Sequence, residues 1–283
     1  MRLLAPAALL AVLIAGPAEN NVAFPITVAS PNSAIKFDLS LRSEQRLSYR
    51  VTLNERPVIE LSRAGVIVDG INLGDGVSVA AVERSRHDER YRTRGVHSVA
   101  VNRYNGAKVT LLHEPSGTRY VMEIRGFDDG VAFRYVMPAA TADAMRVPDE
   151  ANVFNFPARS TVWYHDLDGH YEGVHEKRDV EDVPEGDWAA PPVTAQLPDG
   201  TGYASITEAG LKDYAGWSCR PIAAAALPRD WHMLPRHPTR IVCAIRRSTC
   251  AGSRIPPRSR ERSRRRGVLS LLVEISMRSS TTT

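Results

Sequence analysis

The sequence predicts an all-β sandwich followed by a disordered Arg-rich C-terminal tail, and three observations carry that expectation. Apolar residues recur at period two from about Phe24 to Tyr203, the spacing of half-buried strands. Turn signals interrupt the alternation at short intervals. No helix-period run of useful length occurs before Glu208–Tyr214, which is only seven residues long. Many short strands at this spacing indicate a sandwich rather than a βαβ sheet.

Taken in order, Ile35, Phe37, Leu39 and Leu41 alternate with Lys36, Asp38, Ser40 and Arg42, giving one apolar and one wet face. Leu47, Tyr49, Val51 and Leu53 repeat the pattern after a Ser43-Glu44-Gln45 hairpin loop. Further strands are expected at Val58–Leu61, Gly76–Val82, Val96–Asn102, Lys108–His113, Arg119–Arg125, Val131–Met137, Val193–Leu197 and Tyr203–Ile206. The expected turns are Asn54–Pro57, Asp69-Gly70, Asn105-Gly106, Pro115–Gly117 and Asp128–Gly130. Asp143 to Phe156 reads as a connection, and Thr161 to Trp188 as an aromatic, charged, loop-rich stretch.

The ends differ from this middle. Met1-Arg2, the apolar run Leu3–Ala15 and Gly16-Pro17-Ala18 have the order of a signal peptide over residues 1–18, which predicts a periplasmic or secreted protein. No later segment has the ~20 apolar residues of a membrane span. Cys219, Cys243 and Cys250 all fall late, so no disulfide is expected to hold the main fold.

The net charge of +4 combines unlike parts. From Arg236 to Thr283 there are 12 Arg, no Lys and 2 acids, so the rest of the chain is mildly acidic. Arg254–Arg266 is of low complexity, and a short apolar run, Val268 to Val273, follows. Residues 219–283 read either as a basic arm for nucleic acid or an anionic surface, or as the product of a shifted reading frame. With 4 Lys against 32 Arg the gene is rich in G and C, and an exported protein meets little nucleic acid, so the frame shift is favoured and no nucleic-acid partner is expected.

His165, His170 and His175 lie among four carboxylates, yet a spacing of five fits neither a helical face nor one side of a strand, so a polar loop is expected. Glu176–Asp182 reads as a solvated charge run. Trp163, Tyr164, Tyr171 and Trp188 could stack on a sugar or cap a β core. Glu208, after one strand and before the short helical run, could cap that helix or reach a ligand.

Ser30-Pro-Asn32, Val58–Ser62 with Gly65, Phe127-Asp-Asp-Gly-Val-Ala-Phe-Arg-Tyr135, Trp163 with Tyr171-Glu172, and Leu197-Pro-Asp-Gly200 through Ile206-Thr-Glu-Ala209 to Tyr214 occur in the order of glycoside hydrolase family 97. Over about residues 23–218 the chain resembles the N-terminal domain of that family. The resemblance implies a β-supersandwich of galactose mutarotase-like fold, leading a (β/α)8 catalytic barrel. It also implies an exported α-glucosidase or α-galactosidase that uses calcium, with Glu208 as one calcium ligand. A barrel needs about 250 residues, so no catalytic residue is assigned in this chain. The expected role is a carbohydrate-associated domain, inactive alone, whose intact enzyme would act on an α-glucoside or α-galactoside. The alternative is a free-standing sugar-binding or mutarotase-like module, for which His165, His170 and Glu172 are the clustered acid/base candidates.

Overall fold

The computed structural model describes residues 23–94, 97–138, 148–166, 172–184, 187, 189–212, 218–223, 239–244 and 268–278. These are almost entirely strands, with 3-10 turns at Ser43–Gln45 and Val180–Asp182.

Strands β1 (Ile26–Ala29), β2 (Ile35–Arg42), β3 (Arg46–Leu53) and β4 (Arg56–Arg63) form an antiparallel four-stranded sheet in sequence order. Its inner face carries Ile26, Val28, Phe37, Leu39, Tyr49 and Val51, all buried. The opposite face keeps its charges paired: Thr27 donates to Asp38 Oδ1 at 2.5 Å and Arg50 Nε to Asp38 Oδ2 at 2.9 Å. Asn54 and Glu55 take left-handed φ of 50° and 64°, as expected of the β3–β4 turn.

Short strands β5 (Val66–Val68) and β6 (Ile71–Asn72) flank the Asp69-Gly70 turn. A meander follows: β7 (Val77–Arg92), β8 (Val99–His113), β9 (Thr118–Phe127) and β10 (Gly130–Pro138). The expected turn at Asn105-Gly106 is absent, because both residues lie inside β8 and pair with Arg86 and Ser85. Packing explains the glycine: a Cβ at Gly106 would stand 2.8 Å from Ser85 Oγ. Asn105 Nδ2 meanwhile donates to the Ala29 carbonyl at 2.9 Å, tying β8 to the first sheet.

Beyond lie β11 (Pro148–Glu150), paired with β5, then β12 (Val153–Phe154), β13 (Thr161–Tyr164), β14 (Glu176–Asp179), β15 (Val193–Leu197) and β16 (Gly202–Lys212). The run Glu208–Tyr214 was expected to be helical. Through Lys212 it is instead the continuation of β16, while residues 213–217 fall outside the described set.

The reason is a partner far along the chain. Strands β17 (Ser218–Ala223), β18 (Thr239–Ala244) and β19 (Val268–Arg278) all lie in the segment 219–283 or at its border, where a disordered tail was expected. For these residues the expectation needs correction. β17 and β18 pair with each other, and β18 pairs with β12. β19 runs between β10 and β16 in a nine-stranded sheet of order β14-β13-β15-β16-β19-β10-β9-β8-β7. Leu269, Leu271, Val273, Ile275 and Met277 alternate with Ser270, Leu272, Glu274, Ser276 and Arg278, a period of two that the apolar run Val268–Val273 disguised. Ile275 is fully buried and Met277 nearly so. Arg254–Arg266 and residues 1–22, including the expected signal peptide, lie outside the described residues.

The four-stranded sheet packs on the inner face of the large sheet. Phe37 stacks on Tyr49 at 5.2 Å, and both rings meet Phe133 of β10 at 5.7 and 5.5 Å. Buried hydroxyls are satisfied across layers: Tyr49 donates to the Val153 carbonyl at 2.8 Å, Tyr120 to the Leu73 carbonyl at 2.6 Å and Tyr135 to Asn152 Oδ1 at 2.8 Å.

Candidate functional site

Glu208 sits on β16 opposite Val273, half-buried, on the same side of the strand as Ala204 and Ile206. Just beyond it the β16–β19 register shifts between Ala209 and Lys212. A helix cap is therefore not its role, since no helix begins here. Calcium takes six to eight oxygens. Among the described residues no group of three or more His, Cys, Asp or Glu side chains could hold a metal ion. Glu208 can offer one carboxylate to such an ion; the described residues do not make a calcium site around it.

The histidine-rich stretch is divided by the fold. His165 is only 2 % exposed, directly after β13. Its Nδ1 donates to the Asp166 carbonyl at 2.8 Å, which places the ring proton on that nitrogen. The exposed His175 meets it edge to face at 4.9 Å. Gly173 closes over the imidazole, where a Cβ would fall 2.8 Å from Nδ1. A ring so covered is packing rather than an open acid/base group, and Glu172 is exposed beside it. His170 and Tyr171 lie outside the described residues, as does Trp188. Glu176–Asp179 is exposed throughout, as a solvated charge run should be, but forms the edge strand β14.

Beneath this stretch Tyr164 is buried and donates to Asp187 Oδ2 at 2.9 Å. Burial, then the hydrogen bond and charge of Asp187, push its phenol up to about 12. Tyr164 is thus a locked neutral donor.

The outward side of the same strands is different. Register places Thr161, Gln196 and Tyr203 in one row, and Trp163, Thr194 and Ser205 in the next. Trp163 and Tyr203 approach to 6.4 Å, and Lys177 Nζ lies 5.5 Å from the Trp163 ring centre. Beside Tyr203 opens a cleft of about 370 Å³, bordered by Arg159, Gln196 and the Leu197–Gly200 turn. Sequence alternation alone could have separated Gln196 and Tyr203 from the inward Ala195, Leu197 and Ala204. Their meeting with Arg159 needed the strand register. A second cavity, about 440 Å³, lies between β1, β7 and β8 and presents Arg84 and Arg86 without a lining carboxylate. It has no acid/base pair.

Comparison with known proteins agrees with this architecture. Residues 28–230 match the glycosyl-hydrolase 97 N-terminal family. A probable retaining α-galactosidase of Streptomyces bingchenggensis is 27 % identical over 212 residues, which cover 74 % of this chain and 31 % of the relative. The retaining α-galactosidase of Bacteroides thetaiotaomicron is 26 % identical over 142 residues, 48 % of this chain and 20 % of the relative. The chain thus spans a third or less of these relatives. In fold it is similar to a family 97 enzyme from Pseudoalteromonas sp. strain K8 in complex with panose, with a TM-score of 0.68 at 21 % identity, covering 89 % of this chain and 35 % of that one. A β-arabinopyranosidase is also similar, with a TM-score of 0.66 at 16 % identity over 89 % of this chain and 40 % of that one. With the matched segment running from β1 past β17, and the fold shared with these structures, the chain belongs to the glycoside hydrolase family 97 N-terminal domain family.

Proposed function

We propose that this chain is the β-sandwich portion of an exported family 97 α-glycosidase acting on an α-glucoside or α-galactoside, and that it breaks no glycosidic bond by itself. The observation that carries the reading is the match of residues 28–230 to the family's N-terminal domain. The relatives' names, both α-galactosidases, favour the galactoside.

Glycoside hydrolysis needs two carboxyl groups on either side of the scissile bond, ~5–9.5 Å apart. In this reading a barrel outside the described strands supplies both. Glu208 contributes one carboxylate to a calcium ion completed by groups of that barrel. A hard cation supplies charge stabilisation when bound. This chain's own part is to hold the Glu208 backbone against Val273 of β19.

The test is direct. The purified chain is incubated with aryl α-galactoside and aryl α-glucoside, with and without added calcium. No sugar release is expected, and release above buffer would overturn the reading. For export, fractionation of an expressing bacterium should find the chain outside the cytoplasm and shortened near Ala18. An uncut cytoplasmic chain would refute that part.

A further inference from the structure

We propose that the outward face of β13, β15 and β16 is a binding site for neutral pyranose sugars, with Tyr203 as its platform and Gln196 as its polar anchor. It is separate from any site at Glu208. Tyr203 and Glu208 lie five residues apart on one strand, hence on opposite faces and ~17 Å apart along it.

Tyr203 is a large ring left 43 % exposed on a sheet face where its neighbours on β15 and β16 are Thr194, Gln196 and Ser205. Trp163 braces it at 6.4 Å with a 43° tilt, and Trp163 is itself engaged by Lys177. Tyr203 is therefore the ring that presents a face to solvent. The C–H face of a pyranose is a flat, weakly positive apolar surface, which suits the negative face of an aromatic ring.

The polar groups around it point to the same ligand class. Gln196 is exposed in the row of Tyr203, and its amide offers a donor and an acceptor side by side, as vicinal hydroxyls require. Arg159 Nη2 binds both Asp199 oxygens, at 3.2 and 2.9 Å, and Arg56 donates to the Asp199 carbonyl at 2.7 Å, so the cleft wall offers polar atoms of both kinds. Among the lining residues the two charges thus engage each other, while a neutral polyol finds several uncharged polar atoms. Gly202, at φ 126°, adds no side chain to the cleft, and the volume of about 370 Å³ lies in the range of small-molecule sites.

The test uses the full 283-residue chain. Calorimetry and tryptophan fluorescence are followed on titration with panose and melibiose as neutral probes and galacturonate as a charged one. Saturable binding of a neutral probe is expected, with Tyr203→Ala weakening it about tenfold, Gln196→Ala weakening it severalfold, and Tyr203→Phe, which keeps the ring, leaving it intact. Thermal unfolding of each variant separates loss of the site from loss of fold, and Gln196→Ala serves if Tyr203→Ala fails to fold. Absence of saturable binding, unchanged affinity in Tyr203→Ala or Gln196→Ala, or equal affinity for galacturonate would each overturn the proposal. Sugar release in the hydrolysis assay bears only on the function proposed above, so the two can fail independently.

Discussion

The backbone N–H of Asn32 donates to Asp128 Oδ1 at 2.8 Å, so the Ser30-Pro-Asn32 turn and the Asp128-Asp129 turn are locked together. Asp128 also pairs with Arg103 of β8, and the Asp129 carbonyl accepts from Met277 N–H at 2.7 Å. One turn thus joins the first sheet, the meander and β19. Asp128→Ala should cost about 1–2 kcal/mol, read as a lower urea midpoint at unchanged slope. Asp128→Asn, which keeps an acceptor, should recover much of it.

Asn152 is fully buried and its Oδ1 accepts from both Tyr135 Oη and the Gly65 backbone N–H. Asn152→Leu would remove the acceptor that those two donors share in the core. A loss of about 3 kcal/mol or more is expected, far larger than for Tyr135→Phe, which removes one donor together with its need for a partner. Equal losses in the two variants, measured by urea unfolding, would contradict the shared-acceptor role.

Alkaline pH should destabilise the fold through its buried phenols. Tyr164 is raised to about 12 by burial and Asp187, and Tyr49 and Tyr120 are also raised, chiefly by burial. In the unfolded chain these groups ionise near 10, so stability is intact below that pH and falls as pH climbs through 10 toward 12. Tyr164→Phe should make the fall shallower, as followed by near-ultraviolet phenolate absorbance alongside unfolding.

Ile275 sits fully buried on β19 between Val131 and Ile206. Ile275→Asp would place an unpaired carboxylate there and should prevent folding of the large sheet. Ile275→Val should cost only about 1 kcal/mol. Circular dichroism with light scattering separates the outcomes, because unfilled edges at β10 and β16 should aggregate.

The strands with strict alternation were legible in the sequence. Ile35-Phe37-Leu39 and Leu47-Tyr49-Val51 fall where the pattern puts them, because one side of that sheet is core and the other water. Asn105-Gly106 misled because the pair has turn chemistry, whereas here the glycine serves the close approach of Ser85. The Glu208–Tyr214 segment misled because a seven-residue spacing cannot reveal a strand partner some 60 residues away. The outward site was legible only in pieces: Trp163 stood out by its aromatic character, while Glu208, singled out by the motif resemblance, lies on the other side of β16. The juxtaposition of Tyr203, Gln196 and Arg159 arises from pairing across β13, β15 and β16, which no local pattern encodes. The histidine cluster read as a polar loop, yet His165 is interior because β13 carries it under Gly173.

The central position of β19 also dictates an order of assembly. The β7–β10 meander and the β13–β16 group can each form from neighbours in sequence, but they merge only when a strand translated much later threads between them. Closing so large a loop is slow. During that interval each group exposes one unzipped margin, which leaves a nascent chain open to aggregation unless chaperones cover it.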